Sequence, residues 1–138
     1  MSCVLRVSST GARPRSLLLT GDIERDQEAA LVATSAAALR SDVLIVPHHG
    51  SRTSSTAAFL DAVRPRVAIF QAGYRNRFGH PAPDVMARYV ERGIEVHVSP
   101  DCGAWRWDAD AGPEGACHRD AARRYWHHRR EGASVYDP

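Results

Sequence analysis

The chain holds 138 residues, 25% of them charged and 43% hydrophobic, which suits one domain with a real core and is too short for two comfortable ones. A formal charge of +2 is too small to argue for nucleic acid by itself, although every basic residue other than histidine is Arg, the residue that holds phosphate in planar, bidentate geometry. No stretch reaches the roughly 18 apolar residues of a membrane span. The three cysteines, Cys3, Cys102 and Cys117, suggest neither a disulfide framework nor a zinc ribbon, though Cys102 with Cys117 could form one bridge in an oxidising compartment.

The opening "MSCVLRVSS" lacks the basic and apolar regions of a signal peptide and reads as a strand over 2–8, as if already under way. "TGARPR" (10–15) is the turn into a second strand, "SLLLT" (16–20), so the two form a hairpin. Residues 24–39, rich in Ala, Leu and Glu with acids in the first turn, predict a helix. "DVLIV" (42–46) is a buried strand, and "STAAFLDAV" (55–63) a short helix with a Ser/Thr cap. "VAIFQA" (67–72) is a further strand, and "GYRNRFGHP" (73–81) a loop. "APDVMARYVERG" (82–93) carries Pro near its first turn and Gly at its end, as helices do. Strands are expected at 94–99 and 103–108, a loop at 109–116, and a basic helix or tail from 119 onward.

The alternation of strand and helix from 16 to 72 predicts parallel neighbours joined by right-handed crossovers. Their carboxyl ends then share one rim of the sheet, where open α/β folds place ligands. Asp22, His48, His49 and the loop 73–81 should meet there, with hydroxyls from Ser51, Thr53, Ser54 and Ser55 and with Arg75, Arg77 and His80. Asp and His suit zinc or manganese, and two ions sharing a carboxylate can activate water and clamp both oxygens of a phosphoryl displacement. Arg and hydroxyl groups suit a phosphodiester. Singly, each piece also fits a plain turn: Asp22 as a helix cap, His48–His49 as exposed surface, His80 as a turn residue before Pro.

Together, "SLLLTGDIE", "DVLIVPHHGSRTSS" and "GYRNRFGHP" resemble the carboxyl-terminal, metallo-β-lactamase-like region of the ComEC family, the DNA-internalisation proteins of natural competence. The resemblance covers nearly the whole chain. It implies an α/β fold, the carboxyl-terminal half of an αββα sandwich and incomplete as such, over 1–118, with 119–138 as a basic appendage. By this resemblance Asp22 bridges two divalent ions (Zn or Mn) and His48 is a metal ligand. His49 and His80 take catalytic or proton-handling roles, and Ser51, Arg75 and Arg77 line the phosphate path; the sequence leaves open which imidazole, 48 or 49, binds metal. The family's His-x-His-x-Asp-His half is absent, as are its oligonucleotide-binding and membrane-spanning parts. The chain is therefore expected to be soluble and inactive alone, a fragment of a parent in the bacterial inner membrane, with DNA, the missing amino-terminal half and the membrane channel as partners.

Two other readings remain at this level. Arg119, Arg123, Arg124, Arg129 and Arg130, with Tyr125 and Trp126 interleaved, could track single-stranded DNA in a non-catalytic binding module, or form a solvated helix that packs its aromatics on the sheet. The same site chemistry would also serve a small-molecule phosphodiesterase of the same superfamily.

Overall fold

The computed structural model describes residues 2–112, 114–122 and 124. Strand β1 (Leu5–Ser8) turns back into β2 (Ser16–Leu19), and the pair is antiparallel, with Leu5 opposite Leu19 and Val7 opposite Leu17. From β2 onward each strand leads into a helix, and the next strand lies parallel beside it. The order is α1 (Arg25–Leu39), β3 (Val43–Ile45), α2 (Ala57–Val63), β4 (Val67–Phe70), α3 (Pro83–Val90) and β5 (Glu95–Val98). The five strands form one mixed sheet in the order β1-β2-β3-β4-β5. A short α4 (Ser99–Cys102), a two-stranded ribbon of β6 (Trp105–Trp107) and β7 (Gly115–Cys117), and α5 (His118–Ala121) follow.

Strands that add in one direction through crossovers of one hand put every crossover helix on the same face. The core shows it. Leu18, Leu44, Ala68 and Phe70 of the sheet pack with Leu39, Phe59, Leu60, Val85, Met86 and Tyr89 of the helices. Each large side chain buried there contributes about 2–3 kcal/mol. Residues one step along each strand point the opposite way, where Val43, Val67 and Ile69 are buried with Leu17, Ile45, Trp105 and Trp107 packed on them. That second face is covered by the ribbon at one end. At the other end Leu5 and Val7 remain 56% and 48% exposed.

The helices begin where their caps dictate. Glu24 and Gln27 form a capping box at α1, and the Thr56 side chain accepts from Phe59 N at α2. The α/β class and the crossover order agree with the sequence reading, and most boundaries shift by only a few residues. Two departures stand out. The expected loop at 109–116 runs into strand β7, and the basic helix from 119 is, among the described residues, only the single turn of α5. The remainder of that appendage lies outside the described residues. Among them, no helix is long and apolar enough to cross a membrane.

Candidate functional site

Three strand tips meet at the rim. After β2, Gly21 takes a left-handed conformation (φ +56°), and its carbonyl accepts the backbone N–H of His48 at 3.0 Å. With the Thr20 hydroxyl bonded to Ile45 O at 2.8 Å, this bond brings the segment that carries Asp22 against the turn Pro47–Gly50 after β3. The turn places two successive non-glycine residues, His48 (φ +48°) and His49 (φ +55°), in the left-handed region. Such strain costs on the order of 1 kcal/mol per residue and persists only where the surroundings over-determine it. Here they do. Ser51 N–H bonds to His48 O at 2.9 Å, and Ala82 N–H to Gly50 O at 2.9 Å. Gly50 (φ +83°) must be glycine, because an added Cβ would sit 2.8 Å from the Phe70 ring and 2.9 Å from Pro81.

A carboxylate from the first helix holds the next stretch. Glu28, fully buried, accepts the backbone N–H groups of Ser55 at 2.6 Å and Thr56 at 2.8 Å. The hydroxyl cluster is spent on the turn itself. Ser54 Oγ donates to Pro47 O at 2.9 Å, Ser55 Oγ meets Tyr89 Oη at 2.8 Å, and Ser51, also buried, bonds Thr53 Oγ1 at 3.1 Å. Burial pushes the Tyr89 hydroxyl above its ordinary range, against the opposing bond from Ser55.

His48 and His49 are each fixed by one nitrogen. His49 Nδ1 lies 2.7 Å from Gln71 O; a carbonyl only accepts, so Nδ1 carries a proton, and in the neutral ring the lone pair is on Nε2. That Nε2 sits 3.5 Å from Asp22 Oδ1. A lone pair facing a carboxylate is repulsive unless a proton or a cation lies between them. The spacing is close to the roughly 3.3 Å edge between two ligands on a tetrahedral zinc. His48 Nδ1 lies 3.1 Å from Glu24 Oε1, and Thr53 Oγ1 donates to the same carboxylate oxygen at 3.0 Å. A carboxylate behind an imidazole fixes its tautomer and raises its basicity toward a metal. The sequence reading set Asp22 beside His48; the ring that the fold turns toward Asp22 is His49, while His48 leans on Glu24.

His80 comes from the third tip. Asn76 clamps it, accepting His80 N–H at 2.9 Å and donating to His80 O at 2.6 Å, ahead of a cis His80–Pro81 bond. The ring lies edge-on to His48 with centroids 6.1 Å apart and is stacked on Phe78. Burial first, then the positive potential of His48, His49 and Arg52, lowers its pKa below the usual histidine value. On the same loop, Arg75 lies over the Tyr74 ring and Arg77 over Phe78, and both rings are exposed. Farther round, Arg119 Nη1 donates to Pro100 O.

The structure therefore gathers Asp22, His48, His49 and His80, keeps Arg75 and Arg77 on the loop beside them, and uses Ser51 inside the turn. Sequence reasoning missed Glu24, Glu28 and Asn76. The Glu24-x-x-Gln27 capping box was visible; the contacts of Glu28 and Asn76 carry no local signal.

The chain is thus a mixed α/β sheet whose parallel strand tips bring a carboxylate and three imidazoles to one rim. No known family profile matches the chain. It is, however, 38% identical over 125 residues to "Competence protein ComA" of Neisseria gonorrhoeae, covering 91% of this chain and 18% of that protein. It is 37% identical over 81 residues to "ComE operon protein 3" of Bacillus subtilis, and 41% over 87 residues to "Recombination protein 2" of Haemophilus influenzae, spanning 10% of each. The chain is thus related to competence proteins, along nearly its whole length in the first of these and over about three fifths of it in the others, and it spans less than a fifth of each relative.

Proposed function

We propose that this chain supplies the carboxyl-terminal half of a metal-dependent phosphodiesterase site, of metallo-β-lactamase type, that acts on DNA during natural competence. The observation that carries the reading is the 3.5 Å approach of His49 Nε2 to Asp22 Oδ1, with the opposite nitrogen of His49 tied to Gln71 O. Asp22 and His49 would hold a divalent ion, zinc or manganese, with His48 available to a second one through its Glu24-backed ring. Such an ion supplies Lewis acidity toward a phosphodiester and acidifies a neighbouring water. A catalytic zinc takes about three protein ligands, so further donors would come from another part of a longer protein. The exposed apolar face around Leu5 and Val7 suits a second sheet contributed by that part.

The remaining roles follow from position. His80, whose pKa is lowered by burial and by its positive neighbours, would present a neutral imidazole to the reacting groups. Arg75 and Arg77 offer guanidinium groups to phosphate from beside the exposed side chains of Tyr74 and Phe78, a mixture of charge and aromatic surface that suits a single strand. The test is reconstitution. Supplied in trans with the preceding segment of a longer homologue, this chain should cleave DNA in a divalent-metal-dependent reaction, and Asp22→Asn should abolish cleavage. Unchanged rates in Asp22→Asn would end the site assignment. If DNA binds with a steep salt dependence but no reconstituted mixture cleaves it, the non-catalytic binding reading holds instead.

A further inference from the structure

Away from the rim, on the sheet face that carries the ribbon, three soft donors converge. His97 on β5 stands on the same face as its register partner Ile69. Its Nδ1 lies 3.5 Å from Cys117 Sγ, and Cys117 is disulfide-bonded to Cys102. Both cysteines are buried, and His97 is half-buried beneath Trp105, with ring centroids 5.9 Å apart. Among the described residues, these three donors lie within 4.8 Å of one another. The far nitrogen, His97 Nε2, meets Glu95 Oε1 at 2.8 Å. That contact commits the ring proton to Nε2 and leaves the Nδ1 lone pair aimed at the sulfurs, the carboxylate–histidine arrangement that supports metal ligation.

We propose that His97, Cys102 and Cys117 form a zinc site that replaces the disulfide under reducing conditions. A dithiol reductant delivers two electrons and two protons to the S–S bond and leaves as its own disulfide, yielding two thiols; Zn²⁺ then displaces both thiol protons and forms two Zn–S bonds. A tetrahedral zinc asks for a sulfur–nitrogen spacing of about 3.6 Å and a sulfur–sulfur spacing of about 3.8 Å. The 3.5 Å between His97 Nδ1 and Cys117 Sγ already meets the first, and breaking the S–S bond frees the sulfurs to reach the second. The fourth position is open to water. Either crosslink ties α4 to β7, so the ribbon and its two tryptophans stay seated on Val67 and Ile69 in both redox states.

Cobalt(II) titration of the chain, with and without a phosphine reductant, tests the proposal. The reduced protein should bind one Co²⁺ with a thiolate-to-cobalt charge-transfer band that Zn²⁺ bleaches, and the oxidised protein should show no band. The titrations are run in a Cys3→Ser background, because Cys3 is an exposed free thiol whose backbone lies beside Gly21; a metal at the Asp22 rim then has no thiolate and gives no such band, so the two sites fail separately. His97→Ala should weaken the reduced site at least tenfold, while its oxidised form keeps the disulfide and the wild-type circular dichroism, which separates lost ligation from lost folding. Glu95→Ala should weaken it about tenfold through the tautomer alone. Absence of the band in the reduced wild type, whether or not that form stays folded, overturns the proposal, as does an affinity unchanged by His97→Ala.

Discussion

Replacing Glu28 by Ala should unlatch the histidine turn from the helix layer. The carboxylate is fully buried and accepts two backbone N–H groups, from Ser55 at 2.6 Å and Thr56 at 2.8 Å. A hydrogen bond to a charged group is worth about 1.5–3 kcal/mol net, so two are worth about 3–6. Removing the carboxylate also removes the cost of burying it, and the Thr56 amide can recover water. The expected loss is therefore near the lower end, about 3–4 kcal/mol, large among single substitutions. For a domain of this size that lowers Tm by on the order of 10 °C. Urea unfolding followed by tryptophan fluorescence measures it, with Asp26→Ala, two residues away and exposed, as the control that should stay within about 0.5 kcal/mol of wild type. A Glu28→Ala loss below about 1 kcal/mol would mean that the turn is held by other contacts and that the account of its strain is mistaken.

Two further outcomes follow. Because the folded-state pKa of His80 is lowered, the unfolded chain takes up this proton first as pH falls. The stability it contributes is thus complete above the ordinary histidine pKa of about 6.5 and lost below it, so His80→Asn should flatten that part of a pH–stability profile; an unchanged profile would refute the assignment. For the loop, each of Arg75→Gln and Arg77→Gln should reduce the slope of log K against log salt for single-stranded DNA by about 0.7. Unchanged slopes would remove both residues from the phosphate path.

Much of this was legible in the chain. Aliphatic runs ending in "TGD", "PHHG" and "GYRNRFGHP" fix which residues reach the rim, because parallel crossovers leave little choice of where the strand ends go. What the pattern does not carry is the direction of each ring. His48 and His49 are adjacent, and only the two left-handed backbone conformations decide that 49 faces Asp22 while 48 turns to Glu24. Glu28 reads as one more acid in a helix, since its partners lie 27 and 28 residues away. The pairing of Cys102 with Cys117 depends on β6 and β7 forming a ribbon, and "GAC" is too short to announce itself as a strand.

The central claim is that Asp22 and His49 share one cation through His49 Nε2. Imidazole ¹⁵N NMR of the oxidised chain during a Zn²⁺ titration reads it at that atom. His49 Nε2 should shift as zinc is added while Nδ1 keeps its proton on Gln71, and Asp22→Asn should weaken the response at least tenfold. A His49 signal indifferent to zinc, or one that responds identically in Asp22→Asn, would contradict the account.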